Sequence, residues 1–306
     1  MPEWFENNRV LRIGTRGSPL ALAQAHEVRE RLMAVHSLSE HHFNIAVMKT
    51  TGDVVQDRPL SEIGGKGLFT KELDLALDGN VIDIAVHSMK DVPTILPDHM
   101  AITAVLPRED VHDVLVSHRV SSIGELQKAA VFGTSSLRRR AQLLARRPDL
   151  KMVEFRGNVQ TRLKKLENGV AEATILARAG LNRLGQVELG VEIPTDLMLP
   201  AVAQGAIGIQ QCRDENLQAL LAPIHDENTH ECISTERAFL RALDGSCRTP
   251  IAALAVLCDG QVQFEGQVLR PDGSEVLNVT RSGVDASAIG VDAAPELLGK
   301  GSASFF

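Results

Sequence analysis

Tyrosine is missing from this 306-residue sequence, tryptophan occurs once, and aromatic residues make up only 3% of the chain. Single-stranded nucleic acids are held largely by bases stacked on aromatic side chains, and duplexes by broad basic surfaces. A formal net charge of −7, from 32 basic and 39 acidic side chains, opposes both, so no nucleic-acid partner is expected. No uninterrupted apolar run approaches the ~20 residues that a membrane-spanning helix needs. The opening residues carry Glu3 and Glu6 without an apolar stretch, which predicts no export segment and a cytoplasmic location. Cysteine is scarce as well. Cys212, Cys232, Cys247 and Cys258 fall at irregular spacing, with no CxxC pair and no histidine at metal-ligand spacing, so reduced thiols and no metal centre are expected. Both common nucleotide signatures, GxxxxGK[ST] and GxGxxG after a strand, are absent. Gly64-Gly65-Lys66-Gly67 comes nearest, with glycine where a Ser or Thr would hold the metal.

What is present is a globular chain with 44% apolar residues, long enough for two or three domains. Up to about residue 210, short β-rich runs alternate with amphipathic helical stretches, the pattern of a parallel α/β sheet. Strands are predicted at 10–14, 43–49, 82–86, 101–106, 114–117, 130–132, 152–155, 173–176 and 206–210. Ser18 and Pro19 read as cap and first residue of a helix whose apolar stripe is Ala25, Val28, Leu32 and Val35. After about residue 228 one helix precedes two or three strands joined by turns at Asp259-Gly260 and Pro271-Asp272-Gly273, which suggests a small α+β domain.

Three strand-to-helix turns share one construction: Thr15-Arg16-Gly17-Ser18-Pro19, Gly133-Thr134-Ser135-Ser136-Leu137-Arg138-Arg139, and Arg156-Gly157-Asn158-Val159 with Arg162 a turn later. A helix N-terminus offers unpaired N–H groups and partial positive charge, and arginine adds a fork that matches a carboxylate. Such turns gather at the carboxyl edge of open parallel sheets, so three anion cups are expected around one cleft. The plain alternative makes the hydroxyls ordinary helix caps and the arginines solvated surface. Asp91, after a predicted buried strand and just before Val92-Pro93, is a candidate to take a proton or steady a developing cation, against the alternative of an exposed turn acid. Cys247, bracketed by Gly245 and Pro250 and followed by Arg248, is the one cysteine in a setting that favours thiolate; the alternative is an inert thiol.

These segments resemble the porphobilinogen deaminase family, also called hydroxymethylbilane synthase. The resemblance is carried by Thr15 to Ala21, Gly64 to Phe69, Val86 to Pro93, Gly133 to Arg139, Arg156 to Val159, Leu199 to Gly205 and Gly245-Ser246-Cys247, in family order over nearly the whole chain. It implies a transferase of tetrapyrrole and heme biosynthesis that condenses four porphobilinogen molecules, with loss of ammonia, onto a dipyrromethane held by a thioether at Cys247. Hydrolysis then releases hydroxymethylbilane. It further implies that Asp91 assists loss of ammonia, and that substrate and cofactor carboxylates are bound by Arg16, Arg138, Arg139, Arg156 and Arg162 with Ser18, Ser88, Lys90, Thr134, Ser135, Ser136, Gly157 and Gln204. Lys66 and Phe69 would border a loop over the cleft. The implied fold is two α/β domains like those of periplasmic binding proteins, residues 1–107 with 199–225 and residues 108–198, plus an α+β domain at 226–306 in a monomer. A non-catalytic binding protein of the same two-lobed build is the rival reading, and it predicts no adduct on Cys247. Ser246 stands where a glycine is common, Glu62 where the loop is basic in some members, and Arg178 where some relatives are apolar.

Overall fold

The computed structural model describes residues 2–54, 67–243 and 250–300. Contacts divide the chain into two compact units, one of Met1–Val55, Gly65–Glu109 and Gly205–His230, the other including Asp110–Gln204 and Glu231–Phe306. The chain therefore leaves the first unit after Glu109 and returns to it at Gly205.

The first unit is built on strands β1 (Leu11–Arg16), β2 (Phe43–Met48), β3 (Ile84–Ser88), β4 (Met100–Val105) and, from the returning chain, β10 (Ile207–Cys212). They lie in the order β2-β1-β3-β10-β4. β1 runs parallel to β2 and β3, whereas β10 is antiparallel to both β3 and β4. The predicted all-parallel sheet is thus corrected to a mixed one, because β10 re-enters from a distant part of the chain and not through a helical crossover. Helix α1 (Pro19–His36) starts where expected: Ser18 accepts a hydrogen bond from the Ala21 amide and Pro19 occupies the first turn. Its stripe of Ala25, Val28 and Leu32 packs on Leu11, Ile13, Ile84, Val86, Ile207 and Ile209. Helix α2 (Lys71–Asp78) buries Leu73, Ala76 and Leu77 in a cluster with Ile82, Ala85 and Met100.

The second unit repeats the scheme with β5 (Asp113–Ser117), β6 (Val131–Gly133), β7 (Lys151–Val153), β8 (Ala173–Ala177) and β9 (Val191–Ile193), in the order β7-β6-β8-β5-β9. Here β6 is parallel to β7 and β8, and β5 is antiparallel to β8 and β9. Helices α3 (Leu137–Arg146), α4 (Val159–Glu167) and α5 (Arg178–Arg183) follow β6, β7 and β8. Apolar clusters flank the sheet, one around Leu115, Phe132, Leu143 and Ile175, the other around Val114, Val116, Phe155 and Leu176. The three-residue β9 was not predicted.

Beyond α6 (Glu215–Leu221) comes α7 (Glu227–Ala242), and the chain then forms an antiparallel meander of β11 (Ile251–Cys258), β12 (Gln261–Leu269) and β13 (Val276–Gly283). Asp259 and Gly260, at φ 50° and 73°, make the first turn in the left-handed geometry that hairpins favour. Phe239 of α7 meets Phe264 edge to face at 5.1 Å. Helix α8 (Ala286–Lys300) closes this small domain; Gly290 lies so close to α7 that a Cβ there would sit 2.2 Å from the Thr235 carbonyl oxygen. α8 leaves little periodic signal in the sequence, because its glycines and internal Pro295 break the apolar pattern.

Candidate active site

The three predicted cups divide between the units, one on the first and two on the second. On the first unit β1 delivers Arg16 and β3 runs into a 3₁₀ turn, Met89–Asp91, that delivers Asp91. Arg16 Nη1 stands 3.6 Å from Asp91 Oδ2, and its guanidinium carbon lies 4.2 Å above the Phe69 ring. Both charged side chains are half-buried. The Asp91 side chain, paired with this one arginine, keeps 32% of its surface exposed. Ser18 is used as the cap of α1. Ser88 faces inward and exchanges hydrogen bonds of 2.8 and 3.1 Å with Gln24, so its role is to brace β3 against α1. Lys90 is exposed beside Asp91. Below them lies a histidine the sequence reading passed over, His87, whose burial pushes it down to about 4, an effect the Arg16 charge increases and Gln210 opposes. It is neutral near pH 7.

On the second unit the hydroxyls after β6 are each engaged as acceptors: Thr134 from the Ser136 amide at 3.2 Å, Ser135 from the Phe155 amide at 2.8 Å, and Ser136 from the Arg139 amide as cap of α3. Their O–H groups remain able to donate to an anion. Asn158 caps α4 by accepting from the Thr161 amide at 2.9 Å. Arg162 Nε donates to the Gly157 carbonyl at 2.9 Å, which folds it back over the turn, and Arg156 beside it is largely buried.

Arg138 and Arg139, expected to bind carboxylates of a ligand, also have a partner inside the protein. Both are directed onto Asp113, a fully buried carboxylate that no motif had singled out. Arg138 Nη2 donates to Asp113 Oδ2 at 2.7 Å, and Arg139 reaches it through Nε and Nη2 at 3.2 and 2.7 Å. Their remaining Nη1 groups go to the carbonyls of Leu199 and Ile175. Burial alone would raise the Asp113 carboxyl, but two adjacent guanidiniums hold it far below the usual carboxylate range. The cup therefore carries one net positive charge rather than two. Gln204 belongs to the same knot, donating to Asp113 Oδ1 at 2.9 Å and to the Val111 carbonyl at 2.8 Å. Arg178 donates to the Val187 carbonyl at 2.8 Å, a structural use. Lys66 and Cys247 lie outside the described residues.

Taken unit by unit, the described residues suit carboxylate groups: the first has Arg16 just before the N-terminus of α1, the second has arginines and O–H donors at the N-termini of α3 and α4, and there Arg138 Nε is buried with no partner among the described residues. Donors of this kind fit an α/β protein that handles a carboxylate-bearing molecule. Its first 210 matched positions, residues 11–220, fit the family model for the porphobilinogen deaminase dipyrromethane cofactor binding domain, and residues 230–299 fit that of the porphobilinogen deaminase C-terminal domain. Porphobilinogen deaminase of Paracoccus denitrificans is 59% identical over 97% of this chain and 96% of its own length. The chloroplastic porphobilinogen deaminase of Pisum sativum is 53% identical over 97% of this chain and 83% of that protein. Among solved structures, a periplasmic substrate-binding protein of an ABC transporter from Coxiella burnetii gives a TM-score of 0.44 at 13% identity, covering 74% of this chain and 97% of that one. The chain belongs to the porphobilinogen deaminase family.

Proposed function

We propose that the chain is a transferase that condenses porphobilinogen head to tail, with Asp91 as its catalytic carboxylate and Cys247 as the attachment point of a dipyrromethane. Asp91, paired with Arg16 and still partly exposed, is the observation that carries the reading. In this position it accepts a hydrogen bond from a pyrrole N–H and offsets the positive charge that grows as ammonia leaves. Arg16 on the first unit, and Arg156 and Arg162 on the second, would bind acetate and propionate groups, with the hydroxyls of Thr134, Ser135 and Ser136 as further donors on the second unit and the Asp113 knot fixing the start of α3. When bound, the dipyrromethane supplies the nucleophilic pyrrole carbon on which the product is built. The three-domain division, the monomeric state and a cytoplasmic location belong to the same reading. Among the described residues no helix is long and apolar enough to cross a membrane.

The test is an intact-protein mass. Wild type made in a tetrapyrrole-producing host is expected to exceed the bare chain by one dipyrromethane, and Cys247→Ala to lack it. Asp91→Asn is expected to keep the adduct while turnover falls about 100-fold or more. An active wild type without the adduct would refute the attachment, and full turnover in Asp91→Asn would refute the acid.

A further inference from the structure

At the other end of the first unit's sheet, three side chains far apart in sequence converge. Asp78 is the last residue of α2, His99 immediately precedes β4, and Cys212 ends β10. The antiparallel ladder sets Cys212 opposite Met100, and the Arg213 amide donates to the His99 carbonyl at 2.9 Å, so the backbone holds His99 and Cys212 side by side. His99 Nε2 is 2.7 Å from Asp78 Oδ1, and one ligand atom from each of the three residues lies within 4.8 Å of the others. We propose that Asp78, His99 and Cys212 form a binding site for a single thiophilic divalent cation of the zinc class.

The ligand set is the first argument. A thiolate, an imidazole and a carboxylate are the three donor types zinc takes, at about 2.3 Å from sulfur and about 2.0–2.1 Å from nitrogen or oxygen, which sets donor atoms roughly 3–4 Å apart. His99 and Asp78 are exposed enough to rotate the short distance this needs. Three protein donors leave a fourth position for water. The field is the second argument. The carboxyl end of α2 is a negative pole with no basic residue in its last turn, and Asp74 lies one turn before Asp78. The carboxylates of Asp78 and Asp74 bring negative charge to the neighbourhood of the Cys212 sulfur. A cation reverses that balance: it replaces the thiol proton, which passes to solvent, and forms a metal–sulfur bond. The nearby Arg213 side chain is turned to the Asp98 carbonyl.

The location fixes the expected role. β10 runs antiparallel to β3 with Ile207 opposite Ser88 and Gln210 opposite Ala85, so Cys212 lies at the end of the sheet away from Asp91. The ion would clamp α2 to β4 and β10 without entering the condensation chemistry.

Titration of the full-length protein with Co(II), and then displacement by Zn(II), tests this. The expected result is one equivalent bound with a thiolate-to-cobalt charge-transfer band in the near ultraviolet. Cys212→Ser should abolish the band, and Asp78→Asn and His99→Gln should weaken binding at least about tenfold, the loss expected when even an outer partner of a metal ligand is removed. Turnover without added metal should be unchanged in Asp78→Asn. Absence of the band, or a band that persists in Cys212→Ser, would overturn the site and leave a histidine–aspartate pair beside a passive thiol. Asp78→Asn alters an exposed surface group, so its affinity reports on the site even if the cysteine variant does not fold.

Discussion

Asp113 shows how much one interior carboxylate decides. It binds two arginines and Gln204, and without it two guanidiniums would be buried side by side with no counter-charge. Asp113→Asn is expected to cost about 3–5 kcal/mol in urea unfolding, the range for breaking a buried ion pair on one side. Sequence reading named Arg138 and Arg139 but assigned their charge to a ligand, because nothing in the order of residues shows that a strand-leading aspartate will lie beneath them. His87 gives a pH signature of the opposite kind. Its value in the fold is about 4 against 6.5 when unfolded, so folding excludes a proton between those limits. Its contribution is complete above pH 6.5 and is lost as pH falls towards 4, on the order of 3 kcal/mol across the window. Urea midpoints measured over that range should fall more steeply for wild type than for His87→Gln.

At the scale of elements, capping chemistry was the most legible feature. Ser18, Ser136 and Asn158 each cap the helix that local spacing predicted, because a cap involves residues only two or three apart. The turn before α4 adds a requirement for glycine. Gly157 has φ +117°, and a Cβ on it would lie 2.6 Å from Thr161 Cγ2, the residue whose amide Asn158 caps. Gly157→Ala should therefore lose about 1–3 kcal/mol in thermal unfolding followed by circular dichroism, with a higher KM for porphobilinogen as Arg156 and Arg162 shift. Unchanged stability would show that the turn relaxes freely. α8 and the direction of β10 escaped because one has a broken apolar period and the other depends on a long-range return.

Across the molecule, a second interior carboxylate ties distant segments together. Glu236 of α7, fully buried, accepts from the Ala203 amide at 2.6 Å and the Ala255 amide at 2.8 Å, joining α7, β11 and the segment that carries Gln204. Glu236→Gln turns one acceptor into an N–H donor facing a backbone N–H. A loss of about 1–3 kcal/mol in urea unfolding is expected, and Gln204 would lose its fixed approach to Asp113. An unaltered midpoint would mean the two amides find other partners.

The family and the helix caps at Ser18, Ser136 and Asn158 were determined by the sequence, since each rests on residues close together in the chain or on a run of motifs in order. Only the tertiary structure decided that Asp113 takes the charge of Arg138 and Arg139, that both large sheets are mixed, and that Asp78, His99 and Cys212 meet. Tertiary packing brings together residues far apart in the chain, as Asp78 and Cys212 are at 134 positions, and burial then sets which charges must neutralise one another. Neither pairing partner nor depth is encoded at any single position.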